Sequence, residues 1–144
     1  MFELTKYPID TKWLYRRLMN PASGALVTFE GLVRNQNEGR DVLRLEYECY
    51  ADLAEREGNL ILEEALARFG VIHACCVHRL GKLQIGEMAV WVGVTAVHRA
   101  DAFLACEHVI DQIKARVPIW KKEFYAEGDS GWVNCRHCLV HGER

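Results

Sequence analysis

The chain has little proline, little excess charge and no long apolar run. Its 144 residues include 3 prolines, and 18 Lys and Arg side chains face 20 Asp and Glu, for a formal net charge of −2. No apolar run reaches the roughly 18 residues of a membrane-spanning helix. The slightly acidic balance argues against a general affinity for nucleic acid or for anionic membranes. A chain of this length is expected to form one domain over residues 1–144, with a loose tail from about residue 134.

Signals of secretion and of several familiar enzyme classes are also lacking. The start, Met1-Phe-Glu-Leu-Thr-Lys, has no basic segment followed by an apolar one, so we expect a cytoplasmic protein. No Gly-rich phosphate loop, serine nucleophile elbow or HExxH motif is present. Without an export signal, six cysteines are expected to be reduced thiols rather than disulfides. They are Cys49, Cys75, Cys76, Cys106, Cys135 and Cys138.

The hydrophobic pattern predicts an α+β domain, with helices packed on a mostly antiparallel sheet. Strands are predicted over 25–33, 42–50, 71–80, 88–97, 119–126 and 132–133, and helices after Asp10, over 52–69 and over 100–117. A turn is predicted from Gly81 to Gly86. The run 88–97 is almost continuously apolar, as in a central strand covered on both faces.

Local details refine these predictions. In the second strand, one face is predicted to carry Leu43, Leu45, Tyr47 and Cys49, and the other Arg44, Glu46 and Glu48. Asp52 and Glu55 have the spacing of a capping box, and Gly70 is the expected stop of that helix. Gly58 should weaken the same helix slightly.

Positive charge is concentrated in the segment Lys114-Ala-Arg-Val-Pro-Ile-Trp-Lys121-Lys122. Four basic side chains surround a proline and a tryptophan, which suits a small pocket for an anionic ligand better than a nucleic-acid groove. Lys114 falls at the edge of an apolar helix stripe. Either its methylenes lie on apolar surface and its ammonium reaches water, or its amine enters a pocket near Arg116, Lys121 and Lys122. In such a pocket it would serve as an acid, a base or a nucleophile.

Two further positions suit anion binding. His98 and Arg99 follow the apolar strand and open a helix, where free N–H groups and the helix dipole favour phosphate or carboxylate. An inert surface turn explains the pair equally well. Arg34 follows the first long strand, and arginine is the preferred bidentate partner of phosphate, although one loop arginine does not establish a site.

The thiols also suggest a zinc or redox site as an alternative. Only one C-x-x-C occurs, Cys135 to Cys138, with His141 nearby. On the strand 71–80, alternation places His73 and Cys75 opposite to Cys76 and His78. The C-x-x-C does not open a helix after a strand, which argues against a thioredoxin-like role. We therefore predict no metal.

Several segments, in order, resemble the large, catalytic subunit of molybdopterin synthase. They cover most of residues 24–133. The matching segments are Val27-Thr-Phe-Glu-Gly-Leu-Val-Arg-Asn35, His78-Arg-Leu-Gly81, Gly86-Glu87, Val92-Gly-Val-Thr-Ala-Val-His-Arg99 and Asp111-Gln-Ile-Lys-Ala-Arg-Val-Pro-Ile-Trp-Lys-Lys-Glu123, followed by Gly128-Asp129 and Trp132.

The resemblance implies an α/β hammerhead fold with an added antiparallel sheet, and a sulfurtransferase of molybdenum cofactor biosynthesis. Such an enzyme converts cyclic pyranopterin monophosphate to molybdopterin by installing two sulfurs as a dithiolene. The sulfur arrives as a thiocarboxylate on the C-terminal Gly-Gly of a small ubiquitin-like partner. Two large subunits form a homodimer with one partner at each end, a heterotetramer. No cofactor is implied, and none of the six cysteines need be catalytic.

The resemblance also assigns residues. The family's essential lysines fall on Lys114 and Lys121, and its anion-binding pair on His98 and Arg99. Its loop arginine falls on Arg34. An arginine contributed across the dimer falls on Arg136. An open channel for the partner's tail needs apolar walls, which we assign to Phe29, Ile110, Pro118 and Trp120.

Three alternatives remain open from the sequence. The first is an adaptor that docks a ubiquitin-like protein without turnover. The second is a zinc or redox protein that uses the C-terminal thiols. The third is an RNA-binding domain built on the basic segment, which the acidic balance and the single aromatic residue among those lysines disfavour.

Overall fold

A computed structural model describes residues 1–135, and within this range the chain forms ten strands and three helices. The helices are α1 (Thr11–Leu18), α2 (Ala51–Phe69) and α3 (Arg99–Arg116). The strands are β1 (Phe2–Thr5), β2 (Ala25–Leu32), β3 (Gln36–Asn37), β4 (Arg40–Cys49), β5 (His73–Arg79), β6 (Gly81–Gln84), β7 (Met88–Ala96), β8 (Ile119–Tyr125), β9 (Gly128–Asp129) and β10 (Val133–Asn134). None of these helices is long and apolar enough to cross a membrane.

The first sheet has the strand order β1-β5-β7-β2, with β1 parallel to β5 and the other pairs antiparallel. Helices α2 and α3 cover one face and bury the main core, whereas α1 covers the other face above Cys75, Val77 and Trp91. The apolar strand β7 is central and buried over 89–96, as its pattern predicts. The predicted α+β class with mostly antiparallel pairing is confirmed.

The second sheet has the strand order β10-β8-β4-β3, and β6 and β9 add to it by pairing with β4 and β8. Its longest pairing is antiparallel, between β4 and β8, with Tyr47 opposite Lys121 and Leu45 opposite Glu123. The basic segment after α3 is therefore an inner strand of this sheet rather than a surface loop.

Some local predictions are confirmed and others are wrong. Asp10 caps α1 by accepting from the Trp13 backbone N–H at 3.2 Å, and Gly70 ends α2 with a φ of 64°. The capping box is wrong, because the N-cap of α2 is Tyr50 and Asp52 lies inside the first turn. Strand β1 was not predicted.

Two further details of the strands differ from expectation. The segment 81–86 forms β6 before its turn, because Gly81 to Gln84 pair with β4. The inward position of Leu43 is also wrong. A bulge between Val42 and Arg44 shifts the register, so Val42 is buried and Leu43 is exposed.

Gly58 is a packing residue rather than only a weak point of α2. It is buried, and a Cβ at this position would lie 2.2 Å from the Phe2 ring. A glycine inside a helix costs about 1 kcal/mol in helix propensity. Because this position has no side chain, α2 can lie directly on β1.

Candidate functional site

The C-terminal turn of α3 positions Lys114. The helix ends at Arg116 because Pro118 cannot continue it, and β8 begins at Ile119. Only Val117 and Pro118 separate the two elements, so Lys114 and Lys121 are held on connected, buried structure. Lys114 is half-buried, and within residues 1–135 no carboxylate lies within ion-pair distance of its amine.

Lys121 is held by a network along one face of β8. Strand alternation places Lys121, Glu123 and Tyr125 on that face. The Lys121 amine lies 3.0 Å from the Glu123 carboxylate, and the Tyr125 hydroxyl donates to the same carboxylate at 2.5 Å. Asn37 donates to the Tyr125 oxygen at 3.2 Å.

Glu123 is charged in this network although its side chain is only 6% exposed. Burial alone would raise the pKa of its carboxyl, but the hydrogen bond from Tyr125 and the charge of Lys121 outweigh burial, and the pKa lies below its ordinary value. A charged Glu123 therefore orients the Lys121 amine at neutral pH.

A buried aromatic pair lies beside Lys121. Tyr47 is opposite Lys121 in the β4–β8 pairing, and its ring packs edge-to-face on the His78 ring with centroids 4.9 Å apart. Burial, followed by the charge of Lys114, lowers the pKa of His78 to about 3. The imidazole is therefore neutral at working pH.

Two cations of the predicted cluster lie elsewhere. Arg116 binds Glu57 and Glu64 of α2, with its closest contact at 2.6 Å to Glu64. Lys122 points to the opposite face of β8 from Lys121, 3.9 Å from Asp129 and over the Trp132 ring. The expectation that both surround Lys114 is wrong in this chain, because each serves another contact.

His98 and Arg99 are exposed at the N-terminus of α3, where His98 is the N-cap. Arg99 and Lys114 are 15 positions apart on this helix, which is roughly 22 Å along its axis at 1.5 Å per residue. One chain therefore does not bring this pair together with the lysines.

Arg34 is exposed and lies at the same end of the first sheet as Lys114. Gly31 of β2 and His78 of β5 both pair with Val90, so the exit of β2 is level with His78. The next residue, Asn35, accepts from the Val42 backbone N–H at 2.8 Å and so ties this loop to β4. In the described part of the chain, Arg34 makes no ion pair. Arg136 lies outside the described residues.

The four predicted wall residues do not share one surface. Ile110 lies one turn before Lys114 against the main core, and Phe29 lies on β2, over which α3 packs. Trp120 points to the face of β8 opposite Lys121, where its ring meets Tyr50 at 5.2 Å. Pro118 is half-buried between α3 and β8. Phe29 and Ile110 therefore suit a wall of the lysine site, and Trp120 marks a second surface.

Cys49, Cys75, Cys76 and Cys106 form no disulfide, and burial raises the pKa of each of these thiols, that of Cys106 to about 11. They are therefore protonated thiols rather than nucleophiles. Within residues 1–135, no group of three or more His, Cys, Asp or Glu side chains is arranged to hold a metal ion. Cys138 and His141 lie outside this range.

Sequence reasoning missed three residues of this site: Tyr47, His78 and Glu123. The inward alternation of β4 placed Tyr47 in the core but could not show that β8 pairs beside it. Glu123 lies two positions after Lys121, a spacing that on a strand indicates a shared face.

Comparisons with known proteins agree with this architecture. A family model described as "MoaE protein" matches residues 4–116. The molybdopterin synthase catalytic subunit of Thermoplasma volcanium is 39% identical over 130 residues, which is 90% of this chain and 95% of the relative.

Two solved structures resemble the fold. One, described as molybdopterin synthase from Staphylococcus aureus, has a TM-score of 0.87 at 39% identity and covers 92% of this chain and 96% of its own. The other is a Helicobacter pylori "protein-protein complex of subunit 1 and 2 of Molybdopterin-converting factor". It has a TM-score of 0.71 at 23% identity, covers 89% of this chain and 87% of its own, and shows likeness of fold alone.

Proposed function

The chain belongs to the MoaE protein family, and we propose that it is the catalytic subunit of a molybdopterin synthase. This membership confirms the family expected from the sequence. The proposed reaction converts cyclic pyranopterin monophosphate to molybdopterin, with two sulfurs delivered as thiocarboxylate by a small ubiquitin-like partner. The observation that carries the proposal is Lys114, a half-buried amine with no counter-ion among the described residues, at the end of a helix that leads directly into the strand of a second lysine held by a buried carboxylate.

Lys114 acts at the reacting carbons of the pterin. Its ammonium either protonates a leaving oxygen or stabilises the charge that develops as the thiocarboxylate attacks. Partial burial supports either role, because a charge interacts more strongly where water is excluded.

Lys121 orients the terminal carboxylate of the partner or assists the second transfer. Glu123 supports this role, because it fixes the amine at 3.0 Å while a second anion approaches. The Helicobacter pylori structure of similar fold is a complex of subunit 1 and 2 of a molybdopterin-converting factor, which supports a protein partner.

Arg34 binds the phosphate end of the substrate. The proposed enzyme is a homodimer in which His98 and Arg99 reach the lysine site of the second copy, since roughly 22 Å separates them from the lysines of their own chain. Exposed apolar side chains near the N-terminus of α3 support a contact surface there: Val97, Phe103 and Leu104. Arg136 is assigned to the same substrate anion.

The reduced thiols of Cys49, Cys75, Cys76 and Cys106 suit a cytoplasmic enzyme that takes its sulfur from the partner. An adaptor without turnover is the alternative that an activity measurement separates most directly. It would bind the partner and tolerate loss of Lys114.

The test is incubation of the protein with cyclic pyranopterin monophosphate and thiocarboxylated partner, followed by detection of the dithiolene product. Lys114→Ala should abolish product formation while the fold is retained, and Lys114→Arg should also fail because guanidinium has another shape and stays protonated. Lys12→Ala, on the exposed face of α1, is the matched control and should have wild-type activity. Normal turnover by Lys114→Ala would overturn the assignment.

A further inference from the structure

Tyr125 lies in the network that holds Lys121, although the steps above give it no role. It is the last residue of β8 and is 7% exposed. Its hydroxyl donates to the Glu123 carboxylate at 2.5 Å, a length typical of a strong hydrogen bond between a hydroxyl and a charged oxygen. This bond therefore constrains the carboxylate that contacts the amine.

The two carboxylate oxygens of Glu123 have different partners. Oε1 lies 3.0 Å from the Lys121 amine, whereas Oε2 accepts from the Tyr125 hydroxyl. The Glu123 backbone is fixed separately, because its N–H donates to the Ser130 hydroxyl and its carbonyl accepts from the Ser130 N–H, both at 2.9 Å. The last torsion of a glutamate is broad, so the hydroxyl decides which oxygen faces the amine.

The Tyr125 side chain is itself held from two directions. Asn37 donates to the phenol oxygen at 3.2 Å. A phenol has one hydrogen and also accepts, so the contact from Asn37 leaves that hydrogen for Glu123. The guanidinium of Arg40 lies over the ring, 3.8 Å from its centroid, in a cation–π contact.

Both of these contacts come from one tight hairpin. Asn37 and Arg40 are the last pair between β3 and β4, and Glu38 and Gly39 between them have φ values of 51° and 77°. A type I′ turn requires positive φ at both positions. Within residues 1–135, Glu38 is the only residue other than glycine with a positive φ, and such strain persists where the surroundings fix it. The turn therefore holds the amide and the guanidinium in fixed register on one ring.

We propose that Tyr125 is a positioning residue for Lys121: its hydroxyl holds one oxygen of Glu123 so that the other oxygen directs the amine. The inference rests on the function proposed above. Burial raises the pKa of Tyr125, so it remains a phenol and transfers no proton in this role.

Tyr125→Phe removes the hydroxyl and retains the ring beneath Arg40. We expect kcat, measured with saturating pterin and thiocarboxylated partner, to fall about fivefold while KM for the pterin is unchanged. Tyr7→Phe, at a side chain that is 77% exposed, is the matched control and should equal wild type. Activities are compared at equal folded concentration, measured by circular dichroism. Wild-type kcat in Tyr125→Phe would overturn the proposal.

A double-mutant cycle separates positioning through Glu123 from an independent packing role. In a Glu123→Ala background, Tyr125→Phe should lower kcat by less than a further twofold, since the hydroxyl acts through a carboxylate that is no longer present. A fivefold loss in both backgrounds would overturn the proposal, because Tyr125 would then act without Glu123.

Carbon-13 relaxation of the lysine side chains tests the positioning role without substrate. We expect a lower order parameter at Cε of Lys121 in Tyr125→Phe than in wild type, and no change at Lys12 on α1. An unchanged order parameter at Lys121 would overturn the proposal. A wild-type protein that makes no dithiolene while Lys121 still responds would refute the proposed function and support the positioning role.

Discussion

The two ends of α3 carry basic residues in opposite settings. At the C-terminal end, Lys114 is half-buried, and the chain returns at once into β8 with Lys121. At the N-terminal end, His98 and Arg99 are exposed. The first end has the rigid support that a reacting group needs. The second end carries its positive charge on exposed side chains, and its proposed role requires another molecule.

The largest expected effect concerns the buried end. Lys114→Ala should lower the rate of dithiolene formation by about a hundredfold or more, as loss of one preorganised electrostatic group does. Single-turnover kinetics with thiocarboxylated partner measure the step directly. Partner affinity, measured by titration calorimetry, should change little. A rate within threefold of wild type would show that Lys114 has no essential role in the reaction.

The exposed end is tested by mixing variants. Arg99→Ala and Lys114→Ala should each be impaired alone. Mixed dimers should regain activity, since one of their two sites would receive Lys114 from one chain and Arg99 from the other. With random exchange, about a quarter of wild-type activity should return. If mixing restores nothing while exchange is verified by mass spectrometry, the pair does not act across the dimer.

The third effect concerns the support of Lys121. Glu123→Gln should lower kcat about tenfold, because the amide binds the amine less firmly. It should also reduce the free energy of unfolding by about 1–3 kcal/mol near pH 7.

This stability difference should depend on pH. The folded-state pKa of Glu123 is lowered, so its contribution is present above the unfolded pKa and is lost as the pH falls through the lower, folded value. Denaturant melts of both proteins from pH 7 to pH 3 measure the difference. A difference that grows in acid would contradict the charged network.

The smallest effect should come from Lys122→Ala. This lysine is adjacent to Lys121 but faces the other side of β8, so turnover should change less than twofold and stability by less than about 0.5 kcal/mol. The same steady-state assay with Lys121→Ala gives the matched comparison. A large loss in the Lys122 variant would show that the opposite face of β8 also takes part.

The sequence predicted most of what is local. Apolar runs located β2, β7, α2 and α3, and the basic residues of the segment 114–122 were recognised as a site. It could not separate Arg116 and Lys122 from that site. Their partners are Glu57 and Glu64 on a packed helix and Asp129 across a turn, and contacts of this kind depend on tertiary packing rather than on spacing.

Contacts between residues of different strands could not be predicted from the sequence either. Tyr47 contacts His78 because β4 and β5 belong to two sheets that share one core. The alternation of side chains along either strand does not predict a contact between the two sheets. The bulge at Val42 and Arg44 likewise breaks the alternation that predicts facing sides. From the sequence, Gly58 is predicted only to weaken its helix. The structure shows that the absence of a side chain there makes room for the Phe2 ring.

The connection of only Val117 and Pro118 between α3 and β8 has a mechanical consequence. Inserting one residue there would rotate the helix or slip the strand, and either change would pull one amine away from the other. The spacing of the two amines is thus as rigid as the core itself. Variation in length among related proteins is therefore expected outside this connection rather than within it.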